Sequence, residues 1–178
     1  HAHIFYPELA REIALLLRDF PVPFDLFIST PNAQDESMLR SIFEPLLHLN
    51  QLLIRITPNR GRDLGPFLFS FGKDLLHYDY LAHIHTKKSS GTNEIGNAWR
   101  QYLYEGLLSE SSNQVDHRTA RILHLLEHYG LVYPQKFPLI DVQNCQFKNN
   151  YETAKALCIG LGLAAPQPGY CEFPVGSM

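Results

Sequence analysis

The sequence predicts a Rossmann-like three-layer α/β/α fold with a mainly parallel sheet. Short apolar runs with strand character alternate with segments whose apolar residues recur every three and four positions, which is the spacing of an amphipathic helix. Hydrophobic residues make up 45% of the chain and aromatic residues 12%, enough for a substantial core. Because the chain has 178 residues, we expect a single domain covering 1–178.

The predicted elements follow one another in strand and helix order. The predicted strands cover residues 3–6, 24–30, 52–56, 80–85 and 131–133. The predicted helices cover residues 8–19, 35–48, a stretch after Asp63 with apolar residues at 64, 67, 68, 71 and 75, and then 99–108, 118–129 and 151–161. In parallel sheets ligands bind beyond the carboxyl ends of the strands, so the connections that leave the first four strands are the candidate site.

Composition and charge exclude several classes of protein. The formal net charge of −3 argues against a nucleic-acid partner. No apolar run approaches the roughly 20 residues of a membrane span, so we expect a cytoplasmic protein. Three cysteines without a CxxC pair predict free thiols. Since the chain starts at a histidine, we expect a piece of a longer protein.

The segment NRGRDLGP, residues 59–66, links a strand to a helix and concentrates arginine and glycine. Helix N-termini attract anions, arginine binds phosphate through two hydrogen bonds, and glycine permits close backbone approach. Asp63 either caps the helix or accepts a hydrogen bond from a sugar hydroxyl. An ordinary capped loop with solvated arginines is the alternative. The candidate diphosphate ligands here are Asn59, Arg60, Gly61, Arg62 and Asp63.

The segment HIHTKKS, residues 83–89, places two histidines on one face of a strand that ends in two lysines. It fits a metal pair, a phosphate-binding lysine pair or a polar strand exit. Two ammonium groups and few nearby carboxylates disfavour a metal, so we interpret Lys87 and Lys88 as anion ligands with His85 as a hydrogen-bonding partner. His83 is interpreted as structural.

A second HxH pair, His1 and His3, raises the hypothesis of a metal-dependent hydrolase, although a metallohydrolase barrel needs a longer chain. Tyr6, at the end of the first strand, is a candidate for stacking on a nucleobase. No GxSxG, P-loop or cysteine–histidine nucleophile pattern is present, which argues against acyl transfer and nucleotide hydrolysis.

Four segments together resemble the rhamnan synthesis protein F family. They are HIFYPEL (3–9), NRGRDLGPFL (59–68), YDY (78–80) followed by IHTKKS (84–89), and FPVGSM (173–178). The resemblance covers nearly the whole chain. Members occur in bacterial pathways that build rhamnose-rich polysaccharides and lipopolysaccharide, and they are regarded as glycosyltransferases or glycosyltransferase-like proteins.

The resemblance implies a GT-A-like protein that binds a nucleotide-sugar donor and transfers its sugar to a glycan or lipid-linked glycan. The family implies that this sugar is rhamnose. Where many relatives have an Asp-x-Asp metal motif, this chain has His85-Thr-Lys87. We therefore expect metal-independent donor binding and no cofactor. The weak candidates for the catalytic base are Asp116, Asp141 and Glu172. A non-catalytic carbohydrate- or nucleotide-binding module is the alternative function.

Overall fold

The computed structural model describes residues 1–88, 93–108, 118–139 and 147–169. Its strands are β1 (Ala2–His3), β2 (Phe24–Thr30), β3 (Leu49–Ile56) and β4 (Ile84–His85). Its helices are α1 (Ala10–Leu17), α2 (Glu36–Phe43), α3 (Gly72–Leu75), α4 (Asn93–Leu107), α5 (Arg118–Leu126) and α6 (Tyr151–Gly160). Short 3-10 helices cover Pro7–Leu9, Ala33–Asp35 and Lys148–Asn150, and a π-helix covers Pro66–Ser70.

The four strands form one sheet in the order β3-β2-β1-β4, and every neighbouring pair is parallel. Successive side chains of β2 point to opposite faces of this sheet, as the two-residue period of a strand requires. Leu26 and Ile28 pack in the core on one side. Phe27 packs in a second cluster on the other side, with Phe71 and Leu75. Helical segments thus cover both faces, which confirms the predicted three-layer α/β/α fold.

The first face carries the larger core. The apolar stripe predicted for α2 is confirmed, since Leu39 and Phe43 are fully buried and Met38 packs against them. Ile13 of α1 and Tyr104 of α4 belong to the same cluster. Helix α2 ends at Phe43 and not at position 48 as predicted. The physical reason is Pro45, which has no N–H group to continue the helical hydrogen bonds after Glu44.

The second face is covered by the π-helix and α3. Phe67, Phe71 and Leu75 recur every four residues and turn towards the sheet. Leu64 and Leu68, predicted to share that apolar face, are 56% and 58% exposed. The wider turn of the π-helix changes which residues stack above one another, so the stripe is narrower than an α-helical count predicts.

The predicted strand at 131–133 is wrong, because residues 131–137 have no regular secondary structure. Leu131 remains 64% exposed, and no strand of the described sheet pairs with this stretch. A short apolar run becomes a strand only where it finds a pairing partner.

The chain groups into two compact units, the first over residues 1–135 and the second beginning at Lys136. The first unit contains the whole sheet. The second contains α6, and the hydroxyl of Tyr151 in that unit donates to the carbonyl of Pro166 at 3.1 Å. Cys158 on α6 is a free thiol, as predicted. Among the described residues no helix has both the length and the apolar character to cross a bilayer.

Candidate functional site

The parallel register of the sheet brings the two HxH segments side by side. His3 of β1 lies opposite His85 of β4, and Ala2 lies opposite Ile84, so His1 and His83 are neighbours one step earlier. On its other side, His3 lies opposite Ser29 of β2. Four histidines and a serine therefore share the face of the sheet that carries the π-helix.

These side chains are connected by hydrogen bonds. Nδ1 of His1 lies 2.9 Å from Nδ1 of His83, and Nε2 of His1 lies 3.0 Å from the hydroxyl of Ser29. Nδ1 of His3 lies 2.8 Å from the same hydroxyl. His1 is 7% exposed, His3 is 5% exposed and Ser29 is fully buried. Sequence reasoning gave His1 and His3 a minor role and missed Ser29, although the repeated HxH spacing on two strands was the available signal.

Asp63 reaches this cluster from the loop after β3. Its Oδ2 lies 3.0 Å from Nε2 of His83 and 3.1 Å from Nδ1 of His85. Gly65 lies at the N-cap of the π-helix, and the carboxylate of Asp63 is directed across the loop to the histidines. The shortage of carboxylates that argued against a metal beside His83 and His85 is corrected.

The electrostatics of the cluster follow from burial and from this carboxylate. Burial would raise the pKa of Asp63, but its hydrogen bond with His83 and the nearby ring of His85 outweigh burial and hold that pKa well below its usual range. Burial lowers the pKa of His83 and of His3, and the negative charge of Asp63 opposes this in both. A charged carboxylate beside two histidine rings is therefore the stable state near neutral pH.

The loop that carries Asp63 has an unusual backbone. Gly61 has φ of 75° and Arg62 has φ of 54°, and Arg62 is the only residue other than glycine with positive φ in the described parts of the chain. A side chain in this left-handed region costs of order 1–3 kcal/mol, and such strain is concentrated at functional sites. This conformation turns the loop so that Arg62 and Asp63 both lie at the carboxyl edge of the sheet.

Lys87 lies at the same edge, just beyond β4. Its ammonium nitrogen is 3.7 Å from the centre of the Trp99 ring, a cation–π contact. Burial lowers the pKa of Lys87, the carboxylate of Asp63 opposes this, and the positive charge of Arg62 lowers it further. Asp63 joins the loop of Arg62 to the segment of Lys87, since its carboxylate lies beside His83 and His85. The Trp99 ring supports the charged group of Lys87.

Lys88 points to the exit of β1. It forms an ion pair with Glu8, and its ammonium lies 5.1 Å from the centre of the Tyr6 ring. About half of each charged side chain of this pair is exposed. Exposed ion pairs contribute little to stability, so the pairing with Glu8 leaves Lys88 available to a stronger anion.

Other predicted site residues lie outside this cluster or outside the described parts of the chain. Asn59 and Arg60 are exposed in the loop before Gly61. The three candidate bases, Asp116, Asp141 and Glu172, all lie outside the described residues. Their roles stay predictions.

Thr86 ties the ends of β1 and β4 together between Tyr6 and Lys87. Its Oγ1 accepts hydrogen bonds from the main-chain N–H groups of Phe5 and Tyr6, each at 2.9 Å. The carbonyl of His85, one residue earlier, accepts from the hydroxyl of Tyr104 at 2.8 Å. The backbone that presents Lys87 is therefore fixed from both sides.

We expect Thr86→Val to destabilise the fold more than Thr86→Ser. Valine keeps the shape but leaves the two N–H groups without their acceptor, at about 1–3 kcal/mol for an unpaired buried donor. Serine keeps the hydroxyl and loses only one methyl group, about 1 kcal/mol. Urea denaturation of both variants measures the difference. Equal destabilisation would show that the hydroxyl does not hold the two strand ends together.

One of the comparisons with known proteins identifies a family. The family model described as rhamnan synthesis protein F matches residues 1–159, which is most of the chain. That range contains both cationic segments, all four histidines of the cluster and Asp63. No curated protein and no solved structure matches the chain significantly. The chain belongs to the rhamnan synthesis protein F family.

Proposed function

We propose that this chain is the donor-binding part of a glycosyltransferase that takes a sugar from a nucleotide-sugar. The family supports a role in polysaccharide synthesis, in which the transferred sugar would be rhamnose and the acceptor a bacterial surface polysaccharide or lipopolysaccharide. A GT-A-like arrangement is part of this proposal, and the expected cytoplasmic location stays a prediction.

One observation carries the proposal. The loop that carries Arg62 and the segment that carries Lys87 come together at the carboxyl edge of a parallel sheet, where Oδ2 of Asp63 lies 3.0 Å from Nε2 of His83 and 3.1 Å from Nδ1 of His85. This edge is where such folds bind nucleotides. A diphosphate bound beside Arg62 and Lys87 would add charge-assisted interactions with both cations, which are among the stronger hydrogen bonds in proteins.

The neighbouring residues suit the rest of a nucleotide-sugar. Tyr6 presents a half-buried aromatic ring beside Lys88, and an aromatic ring can stack on a nucleobase. Gly61 packs against Gly65, whose Cα would stand 2.9 Å from a Cβ at position 61, and this close packing fixes the loop that carries Arg62. We propose that Lys88 exchanges Glu8 for the diphosphate when the donor binds. We also propose Asn59, Arg60 and His85 as ligands of the donor at the same edge of the sheet.

The test is calorimetric titration of uridine, thymidine and guanosine diphosphates, after a thermal-shift screen of the corresponding nucleotide-sugars. Arg62→Ala and Lys87→Ala should each weaken the binding of the preferred diphosphate by about 1–3 kcal/mol, the range for a hydrogen bond to a charged group. Arg121→Ala on α5 is the matched control, because it removes an exposed arginine elsewhere.

If both Arg62→Ala and Lys87→Ala keep the wild-type diphosphate affinity, the donor does not bind at this edge of the sheet. Donor binding without sugar transfer by the longest chain available would favour the non-catalytic binding module over the transferase. Transfer that is lost in one of Asp116→Asn, Asp141→Asn or Glu172→Gln would identify the base.

A further inference from the structure

Three ligand-type atoms converge at the centre of the histidine cluster. Oδ2 of Asp63, a ring nitrogen of His83 and a ring nitrogen of His85 all lie within 4.8 Å of one another. His85 lies on β4 and His83 directly precedes that strand, and the carboxylate comes from the loop after β3. Two imidazoles and one carboxylate form the protein ligand set of many catalytic zinc and non-haem iron sites, which leave further positions open.

A hydrogen-bonded cluster alone does not explain His85. Its Nδ1 is buried, lies 3.1 Å from Oδ2 of Asp63, and has no hydrogen-bond partner among the described residues. The distance is short, but the approach lacks hydrogen-bond geometry. An unpaired buried polar atom is costly and is rare in native proteins. A cation held between this nitrogen and the carboxylate would satisfy both.

The surroundings of His83 fit the second shell of a metal ligand. Ligating histidines almost always donate their other ring N–H to a partner, which fixes the tautomer. With Nε2 of His83 directed at Asp63, its Nδ1 can donate to Nδ1 of His1. Nε2 of His1 can then donate to Ser29, whose hydroxyl donates to Nδ1 of His3.

This chain of hydrogen bonds is satisfied in either direction. Reversed, it gives His83 a proton on Nε2 that is donated to Asp63. The two arrangements differ at Nε2 of His83, which faces the carboxylate of Asp63. In the reversed arrangement this nitrogen carries a proton, and in the first it presents a lone pair. A metal ion can therefore displace that proton without leaving any member of the chain unpaired.

We propose that Asp63, His83 and His85 bind a divalent transition-metal ion of the zinc class, with His1, Ser29 and His3 orienting His83. The nitrogen-rich ligand set disfavours magnesium, which prefers an octahedron of oxygen atoms. The proposal replaces the metal-independent site expected from the sequence. It goes beyond the donor-binding proposal and does not depend on it, since the ion can be titrated alone.

The experiment is calorimetric titration of Zn²⁺ into untagged, chelator-treated protein. We expect one site that is lost in Asp63→Asn and in His85→Ala. Ser29→Ala should retain the site with affinity reduced about 10–100-fold, the usual effect of losing a second-shell partner. The control is His124→Ala, which breaks an exposed pair formed by His124 of α5 and His128 in the turn after it, and it should leave the site unchanged.

Two further measurements keep the result interpretable if a variant does not fold. Zn²⁺ should raise the melting temperature of the wild-type protein, and zinc-edge X-ray absorption should show two imidazole ligands with oxygen completing the set. No zinc binding, binding that Asp63→Asn and His85→Ala retain, or loss only in His124→Ala would overturn the proposal. Magnesium binding as tight as zinc binding would overturn the assignment of the metal class.

Discussion

Gly65→Ala should lower diphosphate affinity about 100-fold and destabilise the fold by about 1–3 kcal/mol. Gly65 has ordinary helical angles, φ of −57° and ψ of −59°, so alanine would be favourable there in an isolated helix. In the folded chain, however, the new Cβ would stand 2.2 Å from the main-chain oxygen of Arg60. That oxygen must retreat by roughly 1 Å, and overpacking of this kind typically costs 1–3 kcal/mol.

The effect on binding follows from the position of the clash. Arg60 immediately precedes the strained pair Gly61 and Arg62, so moving its carbonyl displaces Arg62 and Asp63 as well. A misplacement of about 1 Å in a functional group can cost about 100-fold in activity. Calorimetry with the preferred nucleoside diphosphate and urea denaturation measure the two effects.

Gly72→Ala is the matched control for Gly65→Ala. Its new Cβ would meet nothing closer than the main-chain oxygen of Phe67 at 4.0 Å. We expect unchanged diphosphate affinity and a gain of up to about 1 kcal/mol from the helix propensity of alanine. Wild-type stability and affinity in Gly65→Ala would show that the loop does not pass against Gly65.

Phe71→Ala should destabilise the protein by about 3–5 kcal/mol, the usual cost of truncating a buried phenylalanine. Phe71 is fully buried, and its ring centre lies 5.5 Å from that of Phe27 and 5.3 Å from that of His1. The guanidinium of Arg55 lies 4.7 Å above the same ring. The truncation would leave a cavity beneath the histidine cluster, and the melting temperature should fall by roughly 6–20 °C.

Phe69→Ala supplies the comparison within the same segment. Its side chain is 91% exposed, so the same chemical change should alter the free energy of unfolding by no more than about 0.5 kcal/mol. Thermal and urea denaturation of the two variants measure the contrast. Equal effects of the two truncations would contradict the burial of Phe71 against the sheet.

The main features of the fold were predictable because they depend on local patterns. The apolar run of β2 was assigned to the same residues that the structure gives, Phe24–Thr30. The stripe of α2 was correct because helical spacing by itself selects the residues that face a core. The edges of β1 and β4 were not predictable, since each strand is only two residues long and exists through its pairing with the other.

The candidate site was also predictable only in part. The sequence indicated Arg62, Lys87 and their position beyond the carboxyl ends of strands, because glycine-rich and charged loops follow directly from residue type. It did not indicate that Asp63 would turn from its own helix to His83, twenty residues later in the chain. That choice depends on the left-handed backbone at Gly61 and Arg62, and propensities do not predict it for arginine.

The sequence by itself determined the layered α/β architecture, the family and the chemistry available in each loop. Only the tertiary structure decided which of these groups meet. The register of β1 against β4 places His1 beside His83, across 82 positions of the chain, and the loop after β3 adds the carboxylate. Contacts between distant segments depend on how strands pair and how a loop is packed, and a pattern of neighbouring residues carries no record of either.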